Sequence, residues 1–371
     1  MNKDECIKLI DYMDSTDLNH VQTALSLWET LDETLEDFQE SLFHIFHLEL
    51  PIHSENLDVL IFRLFDFYPH GGLISLWLLG ELAQWLPILQ QCTHLNLSYQ
   101  KIQRLPSNIH QLSHLTSLTF KRCALRELPD SLTELTNLEE LNLEFNHITQ
   151  LPQNFANLQQ LKKLNLCANK ITELPQNFGE LSNITHLHLG WNQLTALPDS
   201  FAQLSQLQWL TLRRNRITQL PNNFGLLQQL TDLSLGQNQL ETLPPNFDQL
   251  SNLHYLLLDG NLLKEWNIDL GSLPSLRELT LESNQLTNIA FASVQSQISY
   301  LNLCHNPIKT IPKEIQRLAN LKFLNLTNIR LQNLPTEITA LKKLRKLYLP
   351  KDGIENFTQL KFSKHTKVIR I

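Results

Sequence analysis

Several residue types and patterns that mark common protein classes are scarce in this chain. Its 371 residues include only five cysteines, an odd number with no Cys-x-x-Cys pair, and only ten glycines. Scattered cysteines argue against a zinc finger and against a disulfide-held secreted domain, and they favour a reducing compartment. The glycines form no phosphate-binding loop, and neither Gly-x-Ser-x-Gly nor His-Glu-x-x-His occurs. We therefore predict a protein without enzymatic activity and without a cofactor.

Long apolar runs are also missing. The most apolar stretch, Leu73–Leu79, is bounded by Gly72 and Glu81 and falls far short of the roughly 20 residues needed to span a bilayer. The opening residues, MNKDECIKLI, are charged and lack the apolar core of a signal peptide. We expect a cytoplasmic protein without a membrane span.

Charge is distributed unevenly behind a net formal value of −7. Residues 1–91 carry a net charge of −13, residues 92–341 a net charge of −1, and residues 342–371 a net charge of +7. An acidic beginning and a basic end suggest an extended molecule with distinct ends. Simple solvation of both ends is the alternative, because charge bears on association rather than on fold.

An internal repeat dominates the rest of the chain. The pattern LxxLxLxxNxL recurs every 23 residues, with a single 22-residue step before Asn306, and gives twelve repeats. Eight repeats carry asparagine at the ninth position of this pattern: Asn146, Asn169, Asn192, Asn215, Asn238, Asn261, Asn284 and Asn306. Cys123 and Ile329 take the same position in two others.

The second half of each repeat is equally regular. A Leu-Pro step is followed by phenylalanine, and we expect these rings to stack as a buried spine: Phe155, Phe178, Phe201, Phe224 and Phe247. Residues 264–297 break the rule, because one repeat there lacks the Leu-Pro step and the next is a residue short. A kink or a change of curvature is expected in that stretch.

Together these features identify the chain as similar to leucine-rich repeat (LRR) proteins. The 23-residue LPxxFxxLxxLxxLxLxxNxL form resembles the Ras-group intracellular scaffolds and many bacterial LRR proteins. The resemblance covers about residues 92 to 360 and implies an α/β solenoid, a right-handed curved superhelix with a parallel β-sheet on its concave face. Bacterial LRR ubiquitin ligases share such repeats, but their Cys-x-Asp motif is absent here.

The repeat also predicts local structure. Leucines alternate with polar residues in LxLxx, which is the period of a strand with one buried face. The ninth-position asparagine lies where the chain leaves the strand, and its amide has enough donors and acceptors to satisfy buried backbone groups. Ile329 cannot form those bonds, so this ladder of asparagines should be weakest there.

Three domains follow from these patterns. Residues 1–91 are predicted to be an acidic, all-α cap with helices near 3–13, 18–31, 34–49 and 55–90. A second interaction module is the alternative for this segment. Residues 92–360 form the twelve-repeat solenoid. Residues 361–371 form a basic C-terminal cap or tail, in which KFSKHTKVIRI can add a final strand.

The variable strand positions predict where a partner binds. In LxxLxLxxN the third, fifth and seventh positions face the concave side, and the eighth lies at the rim. Hot-spot residue types from four adjacent repeats define the first patch: His186, His188, Trp191, Trp209, Arg213, Arg214, Tyr255, Leu257 and Asp259. Tyr300, Phe323 and Tyr348 define a second patch, whose alternative role is packing on the C-terminal tail.

Two histidine pairs have spacings compatible with metal binding. His44 and His47 lie on one helical face, and His186 and His188 lie on one strand face. Neither pair has an identifiable third or fourth ligand, so we predict no metal site.

The sequence thus favours a non-enzymatic scaffold or adaptor, monomeric or weakly oligomeric, that binds a protein partner on the concave LRR surface. One alternative is a secreted bacterial effector that binds a host protein. Another is binding of an anionic ligand, a nucleic acid or a lipid, through Arg213, Arg214 and the basic tail. The near-neutral solenoid disfavours that last function, since nucleic-acid binders usually carry a basic stripe.

Overall fold

The computed structural model describes residues 93–99, 102–291 and 296–371. The chain divides into two compact segments, residues 1–161 and 162–371. The helices predicted within residues 1–91 lie outside the described residues.

Every described repeat contributes one short strand, and adjacent strands within each segment pair in parallel. The first segment contains three strands: β1 (His94–Asn96), β2 (Ser117–Thr119) and β3 (Glu140–Asn142). The second segment contains ten: β4 (Lys163–Asn165), β5 (His186–His188), β6 (Trp209–Thr211), β7 (Asp232–Ser234), β8 (Tyr255–Leu257), β9 (Glu278–Thr280), β10 (Tyr300–Asn302), β11 (Phe323–Asn325), β12 (Lys346–Leu349) and β13 (Lys367–Arg370). The predicted leucine-rich repeat architecture is confirmed in both segments.

The strand register follows the repeat. Trp209 pairs with His186 on one side and with Asp232 on the other, so residues 23 apart lie side by side. The short repeat does not disturb this register, because Tyr300 still pairs with Glu278. The missing residue is therefore absorbed outside the sheet. At the other end β13 adds a further rung, with Lys367 opposite Lys346.

The connections back from the strands are 3₁₀ helices of three to five residues, and no α-helix occurs in the described residues. A turn this short cannot repay the cost of nucleating an α-helix. In the first segment these helices are Ile109–Leu112, Asp130–Glu134 and Phe155–Asn157. In the second they are Phe178–Glu180, Asp199–Gln203, Phe224–Leu226, Phe247–Gln249, Lys313–Arg317, Thr336–Ala340 and Phe357–Gln359.

The core consists of leucine layers and a phenylalanine spine. The ring centroids of Phe178, Phe201, Phe224 and Phe247 are 6.1, 6.5 and 6.2 Å apart in succession, with the rings nearly parallel. All four side chains are completely buried, as the repeat predicts. Between residues 264 and 291 the spine is interrupted and no 3₁₀ helix is present. Trp266 fills the core there instead.

The asparagines at the ninth position are buried and bonded to backbone. Asn215 Nδ2 donates to the carbonyls of Leu189 at 2.9 Å and Leu212 at 2.8 Å. Its Oδ1 accepts from the N–H of Leu194 at 2.9 Å. The side chain thus joins its own repeat to the preceding one. The pattern recurs at Asn238, Asn261, Asn284 and Asn306.

The two exceptional ninth positions differ. Cys123 keeps one bond of the ladder, since its Sγ donates to the carbonyl of Leu97 at 3.0 Å. Ile329 is buried but has no polar side-chain atom, so it forms no side-chain bond to the neighbouring turns. The ladder is interrupted at Ile329, as the sequence predicts.

Candidate functional site

The concave face is built from the side chains that the strands turn away from the leucine core. In β6 the middle residue, Leu210, is buried, while Trp209 and Thr211 on either side are half-exposed. The same alternation in neighbouring strands aligns the third and fifth positions into rows. Residues of the first patch on β5, β6 and β8 therefore share this face.

An aromatic contact lies at the centre of the first patch. The ring centroids of His188 and Trp209 are 3.8 Å apart, with the rings tilted by 39°. His186 Nδ1 lies 2.9 Å from the hydroxyl of Thr185. Both histidines thus have neighbours that fix their rings, and neither forms part of a metal-ligand group within the described residues. Tyr255, two strands from Trp209, is 42% exposed.

Arg213 forms an ion pair within the patch. Its Nη1 lies 2.8 Å from each carboxylate oxygen of Asp259, two repeats away. Gly236 holds the seventh position of the repeat between them, and a Cβ atom there would overlap both charged groups. The absence of a side chain at Gly236 therefore opens the path along which Arg213 reaches Asp259.

The rim of the patch carries a second arginine in a different state. The guanidinium of Arg214 lies 3.8 Å from the ring centroid of Trp191, which is 51% exposed. Both residues have a left-handed backbone, with φ of 56°. This conformation recurs at the eighth position, where Gly260 is the glycine. The turn therefore imposes it, and it turns the eighth side chain to the rim.

A similar rim exists in the first segment. The guanidinium of Arg122 lies 4.6 Å from the ring centroid of Phe145 and 6.0 Å from that of Tyr99. Lys121 pairs with Glu144 at 2.9 Å. The sequence analysis did not assign these residues to a site, although their eighth-position spacing would have grouped them.

The second patch is a continuous aromatic row. The rings of Tyr300 and Phe323 stack in parallel at 4.2 Å, and Phe323 contacts Tyr348 at 5.2 Å with a tilt of 42°. All three side chains are half-buried. The step from Phe323 to Tyr348 crosses from the third to the fifth position, which explains the tilt.

Acidic residues flank this row. Glu278 lies between Tyr255 and Tyr300 in the strand register, and partial burial raises the pKa of its carboxyl above the usual value. The pKa of Tyr300 is also raised, first by burial and then by the charges of Glu278 and Glu282. The face beside the second patch is therefore acidic and partly desolvated.

A polar cluster beneath this face escaped the sequence analysis. Cys304 occupies a seventh position, yet it is buried against Glu282, Thr327 and Asn302 rather than against leucine. Burial and the neighbouring Glu282 raise the pKa of its thiol to about 12. The 22-residue spacing between Glu282 and Cys304 was the signal available in the sequence.

Comparison with known families decides the classification. The family model described as leucine rich repeat matches five overlapping or successive ranges: residues 113–171, 136–194, 159–217, 210–263 and 274–331. The chain belongs to the leucine-rich repeat family. Proteins of this LRR family are typically non-enzymatic binding scaffolds, and the fold commonly serves protein–protein interaction. Curated protein sequences give no significant match to this chain.

Solved structures agree with this classification. An LRR protein of Leptospira interrogans is 33% identical, with a TM-score of 0.59, and the match covers 72% of this chain and 76% of that one. The functional domain of InlJ from Listeria monocytogenes is 22% identical, with a TM-score of 0.59, and shows the fold alone. The match covers 76% of this chain and 65% of the InlJ chain, slightly under two thirds.

A third structure, the PEPR1–AtPEP1 complex, is 26% identical to this LRR chain, with a TM-score of 0.60. The match covers 75% of this chain and 45% of that one, so this chain spans less than half of its length. Among the residues described for this LRR protein, no helix combines the length and apolarity needed to cross a membrane.

Proposed function

We propose that this LRR protein is a non-enzymatic scaffold or adaptor that binds a protein partner on the first patch. The observation that carries the proposal is the set of large aromatic side chains held on the concave face and rim. Trp191 and Tyr255 are among the most exposed large apolar side chains of the described residues. Polar residues at these positions would serve folding equally well. Tryptophan, tyrosine and arginine are also the types that dominate interface hot spots.

Preorganisation supports the same proposal. Trp209 is already stacked on His188, Arg214 on Trp191, and Arg213 is already fixed by Asp259. A partner would therefore meet side chains whose rotamers are restricted before binding. Each rotamer-rich side chain ordered in advance lowers the entropic cost of association by about 0.5–1.5 kcal/mol.

Anion binding through the two arginines is the weaker alternative. The charge of Arg213 is compensated by Asp259 at 2.8 Å, so only Arg214 offers an uncompensated guanidinium at this place. A nucleic acid or lipid surface requires several free cations, because phosphate contacts supply the affinity. The geometry thus favours a protein surface over a polyanion.

Cytoplasmic function is part of the proposal and rests on the scattered cysteines of the sequence. A secreted effector that binds a host protein would use the same surface in another compartment. The proposed mechanism of recognition is identical in the two cases, since both present the first patch as a rigid face.

The test is affinity capture with variants of the full-length protein. Replacing Trp209 and Tyr255 with alanine removes two concave rings and leaves the leucine core untouched. We expect the partner captured by the wild type to be lost from this double variant at both low and high salt. Capture that persists in the double variant refutes the first patch as the binding site.

The matched control is Leu226→Ala. Leu226 is an apolar side chain 52% exposed in the 3₁₀ helix Phe224–Leu226, away from the concave face. This variant should capture the partner as the wild type does. Loss of capture in both variants would indicate nonspecific hydrophobic adsorption. Binding that disappears only as salt is raised would support the anionic alternative.

A further inference from the structure

The polar cluster at Cys304 is unusual for this fold. Among the concave-facing positions of the described residues, the buried polar side chains are Asn302 and Thr327, 5% and 8% exposed, and both lie beside this thiol. Elsewhere on this face polar side chains reach solvent. Burying polar groups together is costly unless they are bonded to one another or to a ligand. The cluster is therefore a built arrangement rather than ordinary surface.

Three side chains of the cluster have metal-ligating atoms. One atom each from Glu282, Cys304 and His305 lies within 4.8 Å of the other two, and in the described residues this is the group that meets that condition. We propose that Glu282, Cys304 and His305 bind a divalent transition-metal ion of the zinc class. Sequence analysis expected no metal, but it weighed histidine pairs within one element. This group joins two repeats.

The donor set selects the class of metal. A thiolate, an imidazole and a carboxylate suit Zn²⁺ or Co²⁺, whereas Ca²⁺ and Mg²⁺ require oxygen ligands. Metal–ligand lengths of about 2.0–2.3 Å require the three atoms to approach one another slightly. Glu282 is half-buried and His305 is exposed, so their side chains have room to close onto the thiol. The bound metal takes the place of the Cys304 thiol proton, which is released to water.

Neighbouring amides position the ligands. Asn302 Nδ2 donates to a Glu282 carboxylate oxygen at 2.7 Å, while its Oδ1 accepts from the backbone N–H of Cys304 at 3.2 Å. Asn328 Nδ2 lies 3.0 Å from His305 Nε2, which leaves the other ring nitrogen available. Partners that orient ligands in this way are a regular feature of metal sites. Three protein ligands leave a fourth position for water or for a group of a bound partner.

Cobalt provides a direct test, since a thiolate ligand gives Co²⁺ an intense near-ultraviolet charge-transfer band. Titration of the full-length protein with Co²⁺ should produce this band, saturating at one equivalent, and Zn²⁺ should abolish it. Cys304→Ser should remove the band. His305→Ala, which alters an exposed side chain, should weaken Co²⁺ binding by at least about 10-fold, the lower end for loss of a supporting group.

Cys167→Ser is the matched control. Cys167 also occupies a seventh position and receives the same turn bond from Asn165, but the following residue is Ala168 rather than histidine. This variant should retain the band. Absence of a saturable band in the wild type, or its persistence in Cys304→Ser, overturns the proposal, as does equal loss in Cys167→Ser. The Trp209→Ala/Tyr255→Ala variant should bind Co²⁺ normally, so failure here is distinct from failure of the first patch.

Discussion

Replacing Asn215 with alanine isolates the contribution of one ladder residue. The substitution removes three hydrogen bonds, to the carbonyls of Leu189 and Leu212 and from the N–H of Leu194. At about 1 kcal/mol net for each bond, the free energy of unfolding should fall by about 3 kcal/mol. The side chain is 8% exposed, so water has little access to the three backbone groups left without partners.

Urea denaturation measures this loss, with Asn222→Ala as the control. Asn222 is an exposed asparagine in the same repeat, and its replacement should change stability by less than about 0.5 kcal/mol. Hydrogen exchange adds a local readout, because the N–H of Leu194 loses its acceptor and should exchange faster in Asn215→Ala. A midpoint equal to that of the control, with unchanged exchange at Leu194, would refute the ladder argument.

Three further changes test other parts of the molecule. Phe201→Ala removes a fully buried ring from the spine and should cost about 3–5 kcal/mol in urea denaturation; a loss below 1 kcal/mol would mean that the spine does not pack as described. Glu278→Gln should raise the unfolding midpoint at pH 7, because burial raises the pKa of the carboxyl in the folded state. The charged form is thus penalised above the folded-state pKa, and the gain should vanish as pH falls below the model value of 4.5, where both states are protonated. Asp259→Asn should leave the Arg213 charge uncompensated and increase low-salt retention on a heparin column; unchanged retention would contradict the ion pair.

The fold follows from the sequence because one pattern specifies it many times. Each strand begins at the third position of LxxLxLxxN, so the spacing alone places Trp209 beside His186. The phenylalanine spine follows for the same reason. Steric and hydrogen-bonding requirements are repeated in every repeat, and an error in one would be corrected by its neighbours.

The contacts within the candidate sites follow less directly. Sequence spacing put Arg213 on the concave face, but not in an ion pair with Asp259 across Gly236. That contact depends on side-chain length and on an empty position between two repeats. Similarly, Cys304 was noted in the sequence only as an isolated cysteine. Its burial depends on Asn302 and Thr327, which take ordinary polar positions in the pattern.

A regular repeat therefore makes departures from the pattern informative. When adjacent repeats have a fixed register, a functional contact joins residues separated by about one or two repeat lengths. Arg213 and Asp259 are 46 residues apart, two repeats, while Glu282 and Cys304 are one shortened repeat apart, at 22 residues. In both cases the side chains are exceptions at the seventh position, where neighbouring repeats have small or uncharged residues such as Gly236 and Thr327. The backbone supplies the same geometry everywhere, so chemistry arises where two such exceptions fall within reach of each other.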